Sequence, residues 1–172
     1  MTLCLNLASG TDLRPPPWQN WDIVKRWPTN PRDCDRVWDA RSDCIDLPDA
    51  SVDEICAGYL LTHVSYRHHA PLVREMHRCL KPGGKLVVDE VDMATACRRW
   101  LANPRDLDAI HILHGEVGTT HGEQFEEYDA HRSALTFVTL NELLTKAGFR
   151  SVERFQIHAS TVWYALSVRC VK

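Results

Sequence analysis

LVREMHRCLKPGGKLVVDEVD, running from Leu72 to Asp92, changes character twice along its length. Leu72, Val73, Met76 and Leu80 recur at helical spacing, while Arg74, Glu75, Arg78 and Lys81 fall mostly on the other faces. Pro82 has no N–H with which to continue a helix, and Gly83-Gly84 supply the free backbone of a sharp reversal. Lys85 to Val88 then runs apolar without alternation, which predicts a strand covered on both faces. Helix, tight turn and buried strand make the second half of a βαβ unit, so the stretch predicts an α/β fold.

Strand-like runs precede and follow it. Leu3–Leu7, Trp21–Val24, Arg36–Ala40 and Ile55–Leu61 lie upstream, and Val152–Ile157 with Thr161–Val168 alternate as a terminal antiparallel hairpin. Helices are predicted at Ala94–Leu101, at about 105–114 and at Thr139–Ala147, the last closed by Gly148 as its carboxyl cap. Thr11–Asn20 contains three consecutive prolines and cannot be a regular helix. Residues 105–132 hold four histidines and three glycines, and beyond 114 read as a long loop of functional character. The expected architecture is a single domain over residues 1–172, a Rossmann-like three-layer sandwich. Its sheet is mostly parallel and seven-stranded, with a terminal antiparallel hairpin and the first helix reduced or missing.

The totals narrow the classes. A 172-residue chain can bury roughly 70% of its unfolded surface. A net charge of -3 and a pI near 6.3 give no electrostatic footprint for nucleic acid or an anionic membrane. Seven cysteines with no CxxC, several inside apolar runs, suit a reducing compartment, and neither a signal peptide nor a spanning segment is read. The expected location is cytoplasmic, with no membrane partner; a homo-oligomer is compatible with the sequence. His111, His114, His121 and His131, with Glu116, Glu123 and Asp129, match no metal-ligand spacing, so no metal is expected.

In this order of elements the chain resembles the class I S-adenosylmethionine-dependent methyltransferases, and more narrowly the small methyltransferase-like proteins of bacteria and phages. The resemblance rests on LNLASG (Leu5–Gly10), NWDI (Asn20–Ile23), LPDASVDEI (Leu47–Ile55), EMHRCLKPGGKLVV (Glu75–Val88) and LLTKAGF (Leu143–Phe149). It implies S-adenosylmethionine as cofactor, with Asn6, Ala8, Ser9 and Gly10 forming the loop that cradles its methionine part. Residues without bulky side chains let a ligand approach the backbone there. Family members usually carry Gly where this chain has Ala8. If that position needs positive φ, Ala costs about 1–2 kcal/mol.

Asp22, at the end of the second strand, can accept both ribose hydroxyls by the logic of dinucleotide sites. It stands twelve residues past Gly10, against about twenty in the dinucleotide fingerprint, and the shortfall matches the proline run. For adenine, either Asp39 or Asp43 offers the carboxylate, with Ala40 or Cys44 offering an amide. Tyr59 and Leu60 follow the fourth strand and face the cofactor in the family. His63 stands where a histidine often overlooks the acceptor, and can act as a base toward a hydroxyl. Thr62 replaces the acid that commonly precedes it. HGEQFEEYDAHR (His121–Arg132) is similar to an acceptor-side lid, which makes Tyr128, Asp129 and His131 substrate candidates and His131 a second catalytic candidate. Glu90 and Asp92, at the end of a strand, are expected to border the acceptor pocket. Each of these residues also has an ordinary structural reading as a strand-end acid, a helix-capping histidine or a loop side chain.

The function that follows is methyl transfer by in-line displacement to a small-molecule or sugar-type acceptor, where positioning does most of the work. DNA base methylation is disfavoured, because no [DNS]PP[YFW] follows the fourth strand and no base-flipping domain is present. A nicotinamide enzyme is disfavoured because TDLRPPP, not a third glycine opening a helix, follows Gly10. The alternative from another class is a non-catalytic methyltransferase-like binding or scaffold protein with a degenerate cofactor site.

Overall fold

The computed structural model describes residues 2–42, 44–115, 128, 130–155 and 165–172. Its strands are β1 (Cys4–Leu7), β2 (Trp18–Asp22), β3 (Arg36–Val37), β4 (Val52–Gly58), β5 (Leu80–Val91), β6 (Arg150–Phe155) and β7 (Ala165–Val171). Its helices are α1 (Leu60–His63), α2 (Tyr66–Cys79), α3 (Met93–Ala102), α4 (Leu107–His114) and α5 (Phe137–Lys146), besides a 3₁₀ turn at Ala40–Ser42. The sheet order is β3-β2-β1-β4-β5-β7-β6. β1 to β5 pair in parallel, whereas β7 runs antiparallel to both β5 and β6. The seven-stranded α/β sheet with its terminal antiparallel pair is the one the sequence predicts.

Side-chain alternation divides the strands into two faces. Leu5, Leu7, Ile55, Ala57, Leu86, Val88, Leu166 and Val168 point to one face, where Leu72, Val73 and Met76 of α2 and Leu140 and Leu144 of α5 complete the core. The other face carries Asn6, Glu54, Cys56, Lys85, Val87, Asp89, Ser167 and Arg169. There Lys85 and Arg169 are exposed, and Glu54, Val87 and Asp89 are half-buried. β5 is therefore covered unevenly, although its sequence reads as apolar on both sides. No helix lies between β1 and β2; the proline run takes its place as an irregular loop, as expected.

The quoted turn at Pro82–Gly84 is built into β5 as a bulge. Val52 pairs with Leu80 and Glu54 with Lys85, so residues 81–84 oppose Asp53 alone. Gly83 bends the chain at φ 77°. A Cβ on Gly84 would lie 2.8 Å from the Lys81 carbonyl oxygen, which excludes any side chain. Lys81 Nζ reaches both Asp53 oxygens at 2.8 Å, tying the bulge to β4. Arg78 of α2 donates to Glu75, to Asp49 and to the carbonyls of Leu47 and Ile45. The LPD (Leu47–Asp49) and EMHRCLKPGG (Glu75–Gly84) segments are thus one clamp, holding the loop before β4 onto α2.

The expected boundaries shift at most elements: β3 ends at Val37, β4 spans Val52–Gly58 and gives way to α1 at Leu60, and β6 and β7 are displaced by two to four residues. β2 starts at Trp18 and ends at Asp22, because the chain leaves the sheet where Asp22 turns inward. α2 begins at Tyr66, well before the periodic stretch, and accommodates Pro71 in its second turn. α5 starts from a capping box in which the Thr136 side chain accepts from Thr139 N, and it ends at Gly148 in the left-handed region at φ 104°. A Cβ there would also meet His77 Nε2 at 2.9 Å. Gly148→Ala is accordingly expected to cost about 1–2 kcal/mol from backbone strain alone. Urea denaturation should show a lower midpoint with an unchanged slope.

Candidate cofactor and acceptor site

The carboxyl ends of the parallel strands open into one cavity of about 470 Å³, within the range of small-ligand sites. It runs from Trp38, Asp39 and Ala40 past β3, over Asp22 and the Ala8–Gly10 loop, to Tyr59, Leu60 and His63 after β4. It ends at Asp89 of β5 and Ala165 and Ser167 of β7. Asn6, Ala8, Ser9, Gly10, Asp22, Asp39, Ala40, Tyr59, Leu60 and His63 all line it. Asp43 and Asp129, also singled out from the sequence, lie outside the described residues.

The loop after β1 turns through two left-handed residues, Ala8 at φ 52° and Gly10 at φ 50°. Its Gly10 amide donates to Asp22 Oδ2 at 2.7 Å, and Asn30 Nδ2 donates to the Gly10 carbonyl at 2.6 Å. Ser9 Oγ is buried without a hydrogen-bond partner among the described residues, and Ser9 is one of the residues that line the cavity. A buried hydroxyl in that state fits a ligand with polar groups. Asn6 serves the loop: its side chain donates to the Asp12 carbonyl and to Asn20 Oδ1. Left-handed Ala8 carries the strain expected of an alanine there, about 1–2 kcal/mol. Ala8→Gly returns that strain but gives back roughly 0.4–1 kcal/mol of unfolded-state freedom. The net expectation is a small rise in the urea midpoint; a fall would mean the Ala8 methyl makes packing contacts worth more than the strain.

Asp22 is 4% exposed and holds three donors: Gly10 N, Val24 N at 3.0 Å and Trp27 Nε1 at 3.2 Å. Burial pushes its carboxyl above the usual range, while these donors pull it back. A carboxylate has about four acceptor positions, so most are spent on the protein itself. Asp39 is tied to Arg41, whose guanidinium holds it below its ordinary value. Trp38 is buried, donates to the Cys44 carbonyl at 2.8 Å and packs against Trp21 with centroids 6.2 Å apart. Trp27 and Trp38 give this end its apolar lining. They were invisible as site residues in the sequence because each returns to the cavity from an irregular loop.

On the far side of β4, α1 is a single turn held from beneath. Glu90, fully buried, accepts from Leu61 N at 2.8 Å, Thr62 N at 3.0 Å and the Thr62 hydroxyl. The Thr62 carbonyl in turn accepts from Arg132 N at 2.8 Å and Ser133 N at 3.2 Å. Ser133 Oγ donates to the Leu61 carbonyl. These bonds hold Arg132 at the cavity, which His63 and Tyr128 also line. Burial, then the charge of His131, holds His63 down to about 4, so its imidazole is neutral at pH 7 and a weak proton acceptor.

Three expectations are corrected here. Glu90 does not border the cavity: it shares a face with Leu86 and Val88 and supports α1. Asp92 caps α3 and pairs with Arg154 at 2.8 Å. His131 stands behind His63, with ring centroids 5.2 Å apart, and its Nδ1 bonds the Ile112 carbonyl at 2.6 Å; it is not among the cavity residues. The residue of this strand end that does face the cavity is Asp89, one position earlier. Among the described residues no cluster suited to a metal ion occurs, and no helix is long and apolar enough to cross a membrane.

Comparison with known proteins agrees with this arrangement. A family model described as a methyltransferase domain matches residues 25–88. The ubiquinone/menaquinone biosynthesis C-methyltransferase UbiE of Enterobacter sp. (strain 638) is 29% identical over 126 residues, covering 72% of this chain and 49% of that protein. The chain thus spans about half the length of the curated relatives it matches. A SAM-dependent methyltransferase structure from Archaeoglobus fulgidus superposes with a TM-score of 0.64 at 13% identity, covering 99% of this chain and 86% of that one. One from Methanosarcina mazei gives 0.63 at 20% identity, covering 98% and 91%. Strand order and sequence likeness together make this chain similar to the class I S-adenosylmethionine-dependent methyltransferases, whose fold it shares.

Proposed function

We propose that the cavity binds S-adenosylmethionine with its adenosine toward β2 and β3 and its methionine toward β1 and β4, for transfer of the methyl group to a small-molecule or sugar-type acceptor. The observation that carries this reading is the continuous cavity in which the orphaned Ser9 hydroxyl, the left-handed Ala8–Gly10 loop and the buried Asp22 meet. The adenine end is served by Trp38, Ala40 and Asp39. Asp22 has at most one acceptor position left, so it takes one ribose hydroxyl rather than two. Ala8, Ser9 and Gly10 hold the methionine part, with Tyr59 and Leu60 closing from β4. The cofactor supplies an electrophilic methyl group; the chain supplies orientation and exclusion of water.

His63, neutral and enclosed, acts as a wall and hydrogen-bond partner on the acceptor side more readily than as a proton acceptor. Tyr128 and Arg132 stand beside it as acceptor contacts. All seven cysteines are free thiols, which suits the reducing cytoplasm. Calorimetric titration with S-adenosylmethionine and S-adenosylhomocysteine tests the reading. Micromolar binding of both is expected. Absence of heat and of any thermal shift at millimolar ligand would favour a scaffold with a degenerate site.

A further inference from the structure

Once adenosine and methionine are assigned to the β3-to-β4 stretch of the cavity, the end over β5 and β7 is left for the acceptor. Its floor holds one carboxylate. Asp89 sits where β5 pairs with Gly58 of β4 and Ser167 of β7, directly beside the Tyr59 turn, whose amide donates to the Asp89 carbonyl at 2.5 Å. Its side chain points opposite to Glu90 and into the cavity. Ser167 hydrogen-bonds the carboxyl group. Oδ1 is buried and has no hydrogen-bond partner among the described residues. Arg14 and Asp12 of the proline loop act on it from across the cavity with opposite effect. Arg14 is itself engaged by Asp12 at 3.2 Å and stacks on Trp18.

A buried carboxylate oxygen without a donor is costly unless a ligand supplies one. We infer that Asp89 is the acceptor-recognising residue, binding through Oδ1 the polar hydrogen of an amine or hydroxyl acceptor. This rests on the cofactor reading above. It reassigns the proton-accepting position from His63 to β5: the hydrogen displaced from the acceptor nitrogen or oxygen on methylation goes to Asp89 Oδ1, and from there to solvent. Burial raises the Asp89 carboxyl above its ordinary value, which makes it a better acceptor of that proton than an exposed aspartate.

Sinefungin tests this without an identified acceptor, because it carries an amine-bearing carbon where the cofactor has its methylsulfonium. Calorimetry would compare sinefungin and S-adenosylhomocysteine on the wild type, Asp89→Asn and Asp89→Ser, with circular dichroism and melting curves confirming the fold. The wild type is expected to prefer sinefungin by about tenfold, the scale of one charge-assisted hydrogen bond. Both variants are expected to lose that preference while holding S-adenosylhomocysteine within about threefold of wild type. Equal weakening of both ligands would put Asp89 in the methionine seat and overturn the inference, as would an unchanged preference. If the wild type binds neither ligand, the cofactor reading fails and the inference falls with it. Binding of S-adenosylhomocysteine without a sinefungin preference overturns the inference alone.

Discussion

Asp22→Ala is expected to reduce S-adenosylhomocysteine affinity by at least about a hundredfold and to cost the fold roughly 2–4 kcal/mol. The two losses have one origin. The carboxylate organises the amide of Gly10, the amide of Val24 and the indole of Trp27, so removing it leaves three donors in a cavity wall without an acceptor. It also frees the loop that presents Ala8, Ser9 and Gly10. Asp22→Asn should fall between, because an amide cannot accept with both ends and turns an N–H toward one of the same donors. Asp39→Ala offers the contrast: that side chain is half-exposed and paired to Arg41, so its loss should shift stability by under about 1 kcal/mol. Calorimetric binding and urea denaturation on the same samples separate the two effects. If Asp22→Ala binds like the wild type, the proposed ribose contact is wrong.

The second large effect concerns Glu90. Burial raises its carboxyl from the ordinary glutamate range to about 7, even though three donors converge on it and act to lower it. Raised means that the protonated form is the one the fold favours. The associated stability is fully present below the unfolded value, near 4.5, and is lost as pH rises through about 7. The depressed histidines His63, His69 and His77 run the other way: they favour the fold when neutral and withdraw support as pH falls. The informative quantity is therefore a difference. The melting temperature of Glu90→Gln relative to wild type is expected to climb by several degrees between pH 5 and 8, since a gain of 1 kcal/mol moves a domain of this size by about 2–4 °C. Glu90→Ala should lose stability at every pH, because Leu61 N and Thr62 N would then face an apolar void. A pH-independent offset for Glu90→Gln would show that Glu90 does not titrate in this range.

The sheet was legible because its strands are short apolar runs set apart by turn residues, and Pro82–Gly84 marks the bulge just inside the start of β5. Gly148 was legible for the same reason: a helix must end somewhere, and glycine ends it cheaply. The side of the strand was not legible. Leu86, Val87 and Val88 show no polar alternation, so nothing in the run says which neighbour of Val88 turns toward a ligand. Glu90 and Asp92 looked equally suited to the pocket until Leu86 and Val88 proved to face the core, which sends Glu90 there too. The aromatic lining from Trp27 and Trp38 was hidden differently, since irregular loops carry no period from which to infer a direction. Ala8 sits between these cases. The sequence posed its strain as a condition, and the left-handed backbone met that condition.

The bulge at residues 81–84 gives β5 a tolerance that its neighbours lack. A sheet strand reads like a two-letter frame, in which one inserted residue exchanges every inward and outward position downstream. Four residues already loop out against one at Asp53, so a fifth would lengthen the excursion and leave the frame from Lys85 onward intact. The same insertion between Lys85 and Asp89 would swap Asp89 with Glu90, pushing the helix support into the cavity and the cavity carboxylate into the core. In lineages of this chain, length variation in β5 should therefore collect at the glycines and be absent from the four residues that follow.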